Sequence, residues 1–285
     1  MGTEFLFDQQ VALLEMIATH RKIWLDPIFL TLNLLDSFWG YLLLLLACWL
    51  RMGKMRGFHL FCLYFSIYTL VFFLKFSFNV ARPPEQLWMI HPSYSSFPSG
   101  GAANMTVILG FLITQCNKTW QRLLLGSLIF LNAFSRLYLG VHFPLDVLAG
   151  VLLGFTILII YFESIDPILT IFEKTAPFTH FLIGSFILML LYFYFPKTVQ
   201  LEMFYFLTLG IFSAMAIRSY LPLPFAEKKT NGVITLFAIG ALSLIYSMIP
   251  PVSFPLILPY LFIVGLIVPL IGPWASHLLL YPKKG

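Results

Sequence analysis

Apolar runs of about 17–24 residues, separated by short polar joins, recur along this 285-residue chain from about residue 27 to residue 276. Each approaches the ~20 residues that a helix needs to cross about 30 Å of hydrocarbon. Inside a bilayer every backbone polar group needs an internal partner, so such runs read as membrane helices. Composition agrees: 60% of the residues are hydrophobic, 10% are charged and the mean hydropathy is +0.90, too apolar for a solvated surface. The fold class expected is all-α, a polytopic transmembrane helical bundle with no appended soluble domain.

Candidate spans fall at about 27–50, 57–75, 100–116, 123–140, 145–163, 180–196, 203–220, 231–249 and 255–276, nine in all. Residues 1–20 mix Phe5, Phe7, Val11, Leu13, Leu14 and Ile17 with Asp8, Gln9, Gln10 and Glu15. That is an amphipathic pattern too polar to span, and it reads as an interfacial helix rather than a signal peptide. Between residues 164 and 254 proline falls where span ends or loops are expected, Asp166-Pro167 among them, and Pro259 and Pro269 predict a kink in the last span.

Basic residues gather in short clusters at the ends of apolar runs, which is a topology signal and not a nucleic-acid surface. With nine crossings, one side holds 11 of the 17 Lys and Arg residues and the other holds 6. The richer side, with Arg51, Lys54, Arg56, Lys118 and Arg122, is expected to be cytoplasmic along with the C-terminus. The opposite, periplasmic, extracellular or lumenal side carries Lys75, Arg82 and Arg136. Cys48, Cys62 and Cys116 lie in or beside apolar runs without CxxC spacing, so neither a disulfide framework nor a zinc site is expected.

Chemically capable side chains concentrate between Lys75 and Asp146 in three blocks: Lys75-(six)-Arg82-Pro83, Pro98-Ser99-Gly100-Gly101, and Ser135-Arg136-(five)-His142-(three)-Asp146. Cations near hydrocarbon are costly. Snorkelling accounts for any one of Lys75, Arg82 and Arg136, but not for all three on one side beside His142 and Asp146. Three converging cations imply an anion, and arginine's planar fork fits phosphate oxygens. Asp146, four residues after His142, has the spacing to orient the imidazole, which favours a nucleophilic histidine that accepts a phosphoryl group. Ser99 and Gly100 open the third span, where helix N–H groups and the helix dipole favour an anion.

These blocks resemble the three signature motifs of the type 2 phosphatidic acid phosphatase superfamily, integral-membrane lipid phosphatases related to vanadium haloperoxidases. The resemblance covers about residues 1–165, expected as the phosphatase core, while residues 166–285 form an additional membrane region of about four spans. It implies His142 as nucleophile through a phosphohistidine, Asp146 as its orienter, and Lys75, Arg82, Ser99, Gly100 and Arg136 as phosphate binders. It implies no metal or cofactor, and the partners are a lipid phosphate or diphosphate and membrane lipids, with no nucleic acid and no obligate protein partner.

The chain departs from the family's Pro-Ser-Gly-His at Gly101, where the resemblance calls for the histidine that protonates the leaving group. Three explanations compete: a degenerate lipid-phosphate binder or transporter, a surrogate acid, or a substrate that needs none. A general acid typically contributes about 10²–10⁴-fold, and a diphosphate, whose leaving phosphate has a second pKa of about 6, needs it least. A polyprenyl diphosphate such as undecaprenyl pyrophosphate is therefore the leading substrate. Other lipid phosphates (phosphatidate, phosphatidylglycerophosphate, a sphingoid phosphate) and phosphotransfer to an acceptor other than water are the alternatives. His91, ten residues before Gly101, is the candidate surrogate acid, with Tyr94 behind it.

Overall fold

The computed structural model describes residues 2–52, 54–174 and 177–194, together with residues 205, 206, 209, 210 and 213. The spans expected at about 231–249 and 255–276, with their proline kink, lie outside the described residues, as does most of the one at 203–220. Every long element described is an α-helix: α1 (Gly2–Thr19), α2 (Asp26–Leu35), α3 (Phe38–Met52), α4 (Lys54–Phe78), α5 (Gly100–Thr114), α6 (Thr119–Tyr138), α7 (Pro144–Lys174) and α8 (Pro177–Tyr194). One 3₁₀ turn, Glu85–Leu87, interrupts the loop before α5, and no strand occurs among the described residues. The chain divides into two compact units, residues 1–165 and 166–285. Among the described residues two helical segments, His59–Phe78 and Pro144–Ile165, are long and apolar enough to cross a membrane.

The first unit is built around α5. Residues Ala102 to Phe111 of this helix are all buried, polar Asn104 and Thr106 included, as expected of a helix surrounded on every side. It packs against α4 and α6, and Ala102 joins Ala133 of α6 and Val147 of α7 in one apolar cluster. The approach of α7 is close enough that a Cβ on Gly150 would collide with the Ser99 carbonyl, which is the role small residues play between membrane helices. Ser99 Nα–H also donates to the Asp146 carbonyl (2.9 Å), so the starts of α5 and α7 are tied together.

One departure from expectation lies in the first apolar run. The continuous span expected at 27–50 is divided into α2, 10 residues long, and α3, 15 residues long, with a break at Asp36-Ser37. The Asp36 N–H closes back onto the Leu32 and Asn33 carbonyls (3.2 and 3.1 Å). Ser37 Oγ donates to the Leu34 carbonyl (2.6 Å) and accepts the Gly40 N–H (3.1 Å), an N-cap that starts α3 afresh. Gly40 lets the new helix come close, since a Cβ there would strike the Leu34 and Leu35 carbonyls. The break turns the Asp36 carboxylate into the bundle, where its side chain is 6% exposed.

At Asp166-Pro167, expected as a span end, the segment apolar enough to cross a membrane does stop, at Ile165, while the helix α7 itself runs on through Pro167 to Lys174. The proline forgoes one backbone hydrogen bond, a loss that helices in apolar surroundings tolerate when neighbouring groups compensate.

Helix α1 lies over the loops that carry the motif residues. Its Leu14 is buried with Leu87 and Phe143, Phe7 meets the Phe143 ring at 5.3 Å, and Gln10 Oε1 accepts the Leu145 N–H (3.1 Å). Phe5, Leu6 and Met16 remain exposed, an uncovered apolar side on this helix. The α1–α2 link is held by Arg21, which donates to the Leu87 and Tyr138 carbonyls (2.7 and 2.9 Å).

Candidate active site

Four helix ends and two loops bring the three sequence blocks together. Lys75 sits in the last turn of α4 and Arg82 in the segment after it; Ser99 precedes α5; Arg136 is in the last turn of α6; His142 is in the turn before α7, and Asp146 is in that helix's first turn. Antiparallel neighbours place all of these ends at one end of the bundle.

His142 and Asp146 are buried, at 6% and 3% exposure. The direct approach of His142 Nδ1 to Asp146 Oδ2 is long, at 3.7 Å. Between them stands Ser96, whose Oγ donates to Asp146 Oδ2 (2.5 Å) and lies 3.4 Å from His142 Nδ1. The same carboxylate oxygen accepts the Phe143 N–H (2.8 Å), half of a capping box that fixes the entry to α7. With its own proton committed to Asp146, Ser96 Oγ can only accept from Nδ1–H. That selects the tautomer whose Nε2 carries the lone pair, and this lone pair accepts from Arg82 Nη1 (3.5 Å). Burial, reinforced by the charges of Lys75 and Arg82 and opposed by Asp146, pushes the imidazole well below its ordinary 6.5, so the ring is neutral at physiological pH.

Each cation is held in place by the protein. Arg82 donates from Nε to the Tyr94 carbonyl (2.8 Å), from Nη2 to Ser93 (2.7 Å) and from Nη1 to Val141 (2.6 Å). Burial lowers its pKa to about 10, with Asp146 opposing and Arg136 adding to the fall, so it remains charged. Lys75 Nζ donates to the Ser95 and Ser96 carbonyls (2.5 and 3.1 Å), while Ser95 Oγ returns a bond to the Lys75 carbonyl (2.7 Å). Ser99 is fully buried, and its Oγ has no hydrogen-bond partner among the described residues. Gly100 lies beside Val71 and the Lys75 side chain.

Arg136, 4% exposed, reaches Ser135 of its own block and two partners, Asn33 and Asp36, that sequence reading did not single out. Its Nε and Nη2 donate to Ser135 Oγ (3.0 and 2.9 Å). Its Nη1 donates to Asn33 Oδ1 (3.0 Å) and pairs with Asp36 Oδ2 (2.8 Å). Asp36 also fills the space beside residue 101, because its carboxylate lies where a Cβ on Gly101 would go. A carboxyl side chain from the α2–α3 break therefore occupies that position. The available signal was a carboxylate inside an apolar run, which is too costly to leave facing lipid. Ser96 had no comparable signal, since it is one of several serines in a loop. His91 and Tyr94 are both exposed on that loop.

Residues 56–170, which contain all three blocks, match the sequence model of the PAP2 superfamily. Over 58 residues the chain is 41% identical to the lipid A 4'-phosphatase of Bacteroides thetaiotaomicron, spanning 20% of this chain and 26% of that protein. Over 95 residues it is 39% identical to the undecaprenyl-diphosphatase of Sulfolobus acidocaldarius, spanning 32% and 44%. The chain thus spans less than half the length of these curated relatives. The crystal structure of Aquifex aeolicus LpxE aligns with a TM-score of 0.48 and 31% identity, covering 53% of this chain and 93% of that one. All three blocks lie inside the matched segment, so it is residues 56–170 that carry the PAP2 superfamily's sequence pattern.

Proposed function

We propose that the protein is a membrane lipid phosphatase in which His142 Nε2 takes the phosphoryl group and water then removes it. One observation carries this reading: a buried, neutral imidazole backed by Ser96 and Asp146, whose unprotonated Nε2 meets the phosphate-binding Arg82 through a long 3.5 Å hydrogen bond. Lys75, Arg82 and Arg136 supply the charge to hold a phosphate, joined by Ser99 Oγ and the first N–H groups of α5. The leading substrate is a polyprenyl diphosphate such as undecaprenyl pyrophosphate, supported by the similarity to the Sulfolobus undecaprenyl-diphosphatase. In the proposed nine-span topology the site opens on the non-cytoplasmic face and the C-terminus is cytoplasmic, a placement suited to recycling a carrier lipid.

The test is phosphate release by purified protein from a panel: undecaprenyl pyrophosphate, phosphatidate, phosphatidylglycerophosphate and a sphingoid phosphate. The diphosphate is expected to have the highest kcat/KM. Equal or faster release from phosphatidate sinks the substrate assignment, and binding without release from any of them favours a lipid-phosphate binder.

The nucleophile must be deprotonated to attack, and its folded pKa lies below the free value of 6.5. Activity is therefore lost only as the pH falls through that lowered value, and kcat/KM, corrected for the substrate's own ionisation near about 6, stays flat as pH drops through 6.5. Folding stability moves in the same direction, because below 6.5 the unfolded chain binds a proton that the folded site refuses. A pH–rate profile of kcat/KM with its acid limb at or above 6.5 contradicts this placement of His142.

A further inference from the structure

Breaking the P–O bond of an alkyl phosphate leaves an alkoxide, which departs slowly unless an acid hands it a proton. Few groups in this site can do so. His142 contributes its lone pair to the attack. Asp146 Oδ2 accepts from Ser96 and Phe143 and stands behind the imidazole. Lys75 Nζ is held by two carbonyls, and arginines keep their protons. Asp36 remains. One of its oxygens is bound to Arg136, while Oδ1 is buried without a hydrogen-bond partner among the described residues. The α2–α3 break holds the carboxylate against Gly101 in the opening turn of α5, directly beside the phosphate-binding arginine.

We infer that Asp36 is a catalytic residue: the carboxylic acid that protonates the leaving oxygen. The inference rests on the phosphatase reading above. Without substrate, Asp36 is ion-paired with Arg136. A phosphate that takes Arg136 leaves this buried carboxylate without its counter-charge and beside an anion, both of which favour its protonated form. It takes that proton from water as the substrate docks. In the first step the His142 Nε2 lone pair forms a P–N bond, the P–O bond breaks, and the electron pair left on oxygen takes the Asp36 proton, releasing the alcohol. In the second step water gives a proton to the Asp36 carboxylate as its oxygen bonds to phosphorus. The P–N bond then breaks and returns its pair to Nε2, and as phosphate leaves and Arg136 pairs with Asp36 again the carboxyl returns its borrowed proton to water, so the sum is ester plus water to alcohol plus phosphate. Gly101 makes room for this acid, and with it in place alkyl monoesters as well as diphosphates come within the enzyme's reach.

The experiment compares wild-type full-length protein with Asp36→Asn on two substrates, phosphatidate and an activated aryl phosphate whose phenolate leaves without help. The expected result is a loss of about 10²–10⁴-fold on phosphatidate and less than about 10-fold on the aryl ester, whose retained turnover also reports a folded site. Equal losses on both substrates, or no loss on phosphatidate, overturn the assignment. Wild-type protein that hydrolyses undecaprenyl pyrophosphate but not phosphatidate also overturns the assignment, whereas wild-type protein that hydrolyses neither of these nor the aryl ester overturns the phosphatase reading itself. If Asp36→Asn is inactive on both because it unfolds, Asp36→Ala with Gly101→His replaces it. Gain of phosphatidate turnover over Asp36→Ala alone supports a proton donor in this space, and no gain overturns it.

Discussion

His142→Ala is expected to reduce phosphate release by at least about 10³-fold on every substrate, the scale seen when a nucleophile is removed and only the binding site is left. The loss is chemical and not structural. Ser96 and Asp146 remain bonded to each other, and Asp146 still accepts the Phe143 N–H, so the entry to α7 keeps its cap. The three cations keep the backbone carbonyls and Ser135 that hold them. Lipid phosphate therefore still binds, and the defect appears in kcat with KM little changed. The covalent step gives a second readout. Acid-sensitive, base-stable phosphate is trapped on wild-type protein quenched during turnover and is absent from His142→Ala. Turnover that survives the substitution within about 10-fold refutes the phosphohistidine mechanism.

Much of this site was legible because its parts lie at helix ends whose signals are local. Pro144 at the first position of α7, Ser99 before the glycines of α5 and the spacing of Arg136, His142 and Asp146 are read within a few residues of one another. What stayed hidden depends on contacts distant in sequence. Arg136 meets Asn33 and Asp36 across about 100 positions, and no periodicity in the 27–50 run marks the break that points Asp36 inward. Hydropathy averages that run into one span, whereas Ser37 and Gly40 decide locally that it is two helices. Ser96 was invisible for another reason. Its role comes from lying between His142 and Asp146 in space, and the spacing of those two residues suggests a direct pair without it.

Arg136→Ala is expected to destabilise the protein by about 3–5 kcal/mol, because it strands the buried Asp36 carboxylate without its counter-charge. The cost is larger than for a surface ion pair, since both side chains are about 5% exposed and water cannot replace the lost partner. Asn33 Oδ1 and Ser135 Oγ lose their donors in the same change, which adds to the deficit. Combining Arg136→Ala with Asp36→Asn removes the stranded charge, so the double variant is expected to be more stable than Arg136→Ala alone, a coupling that a double-mutant cycle in detergent reads directly. Arg136→Lys recovers less, because one ammonium cannot reach Ser135 on one edge and Asn33 with Asp36 on the other, as the guanidinium fork does. An Arg136→Ala protein as stable as wild type, or a double variant no better than the single one, shows that Asp36 does not carry a charge opposite Arg136. Activity separates this stability effect from catalysis: the double variant regains its fold but lacks both the phosphate clamp and the acid, so its turnover of alkyl phosphates falls below that of Arg136→Ala, which keeps Asp36.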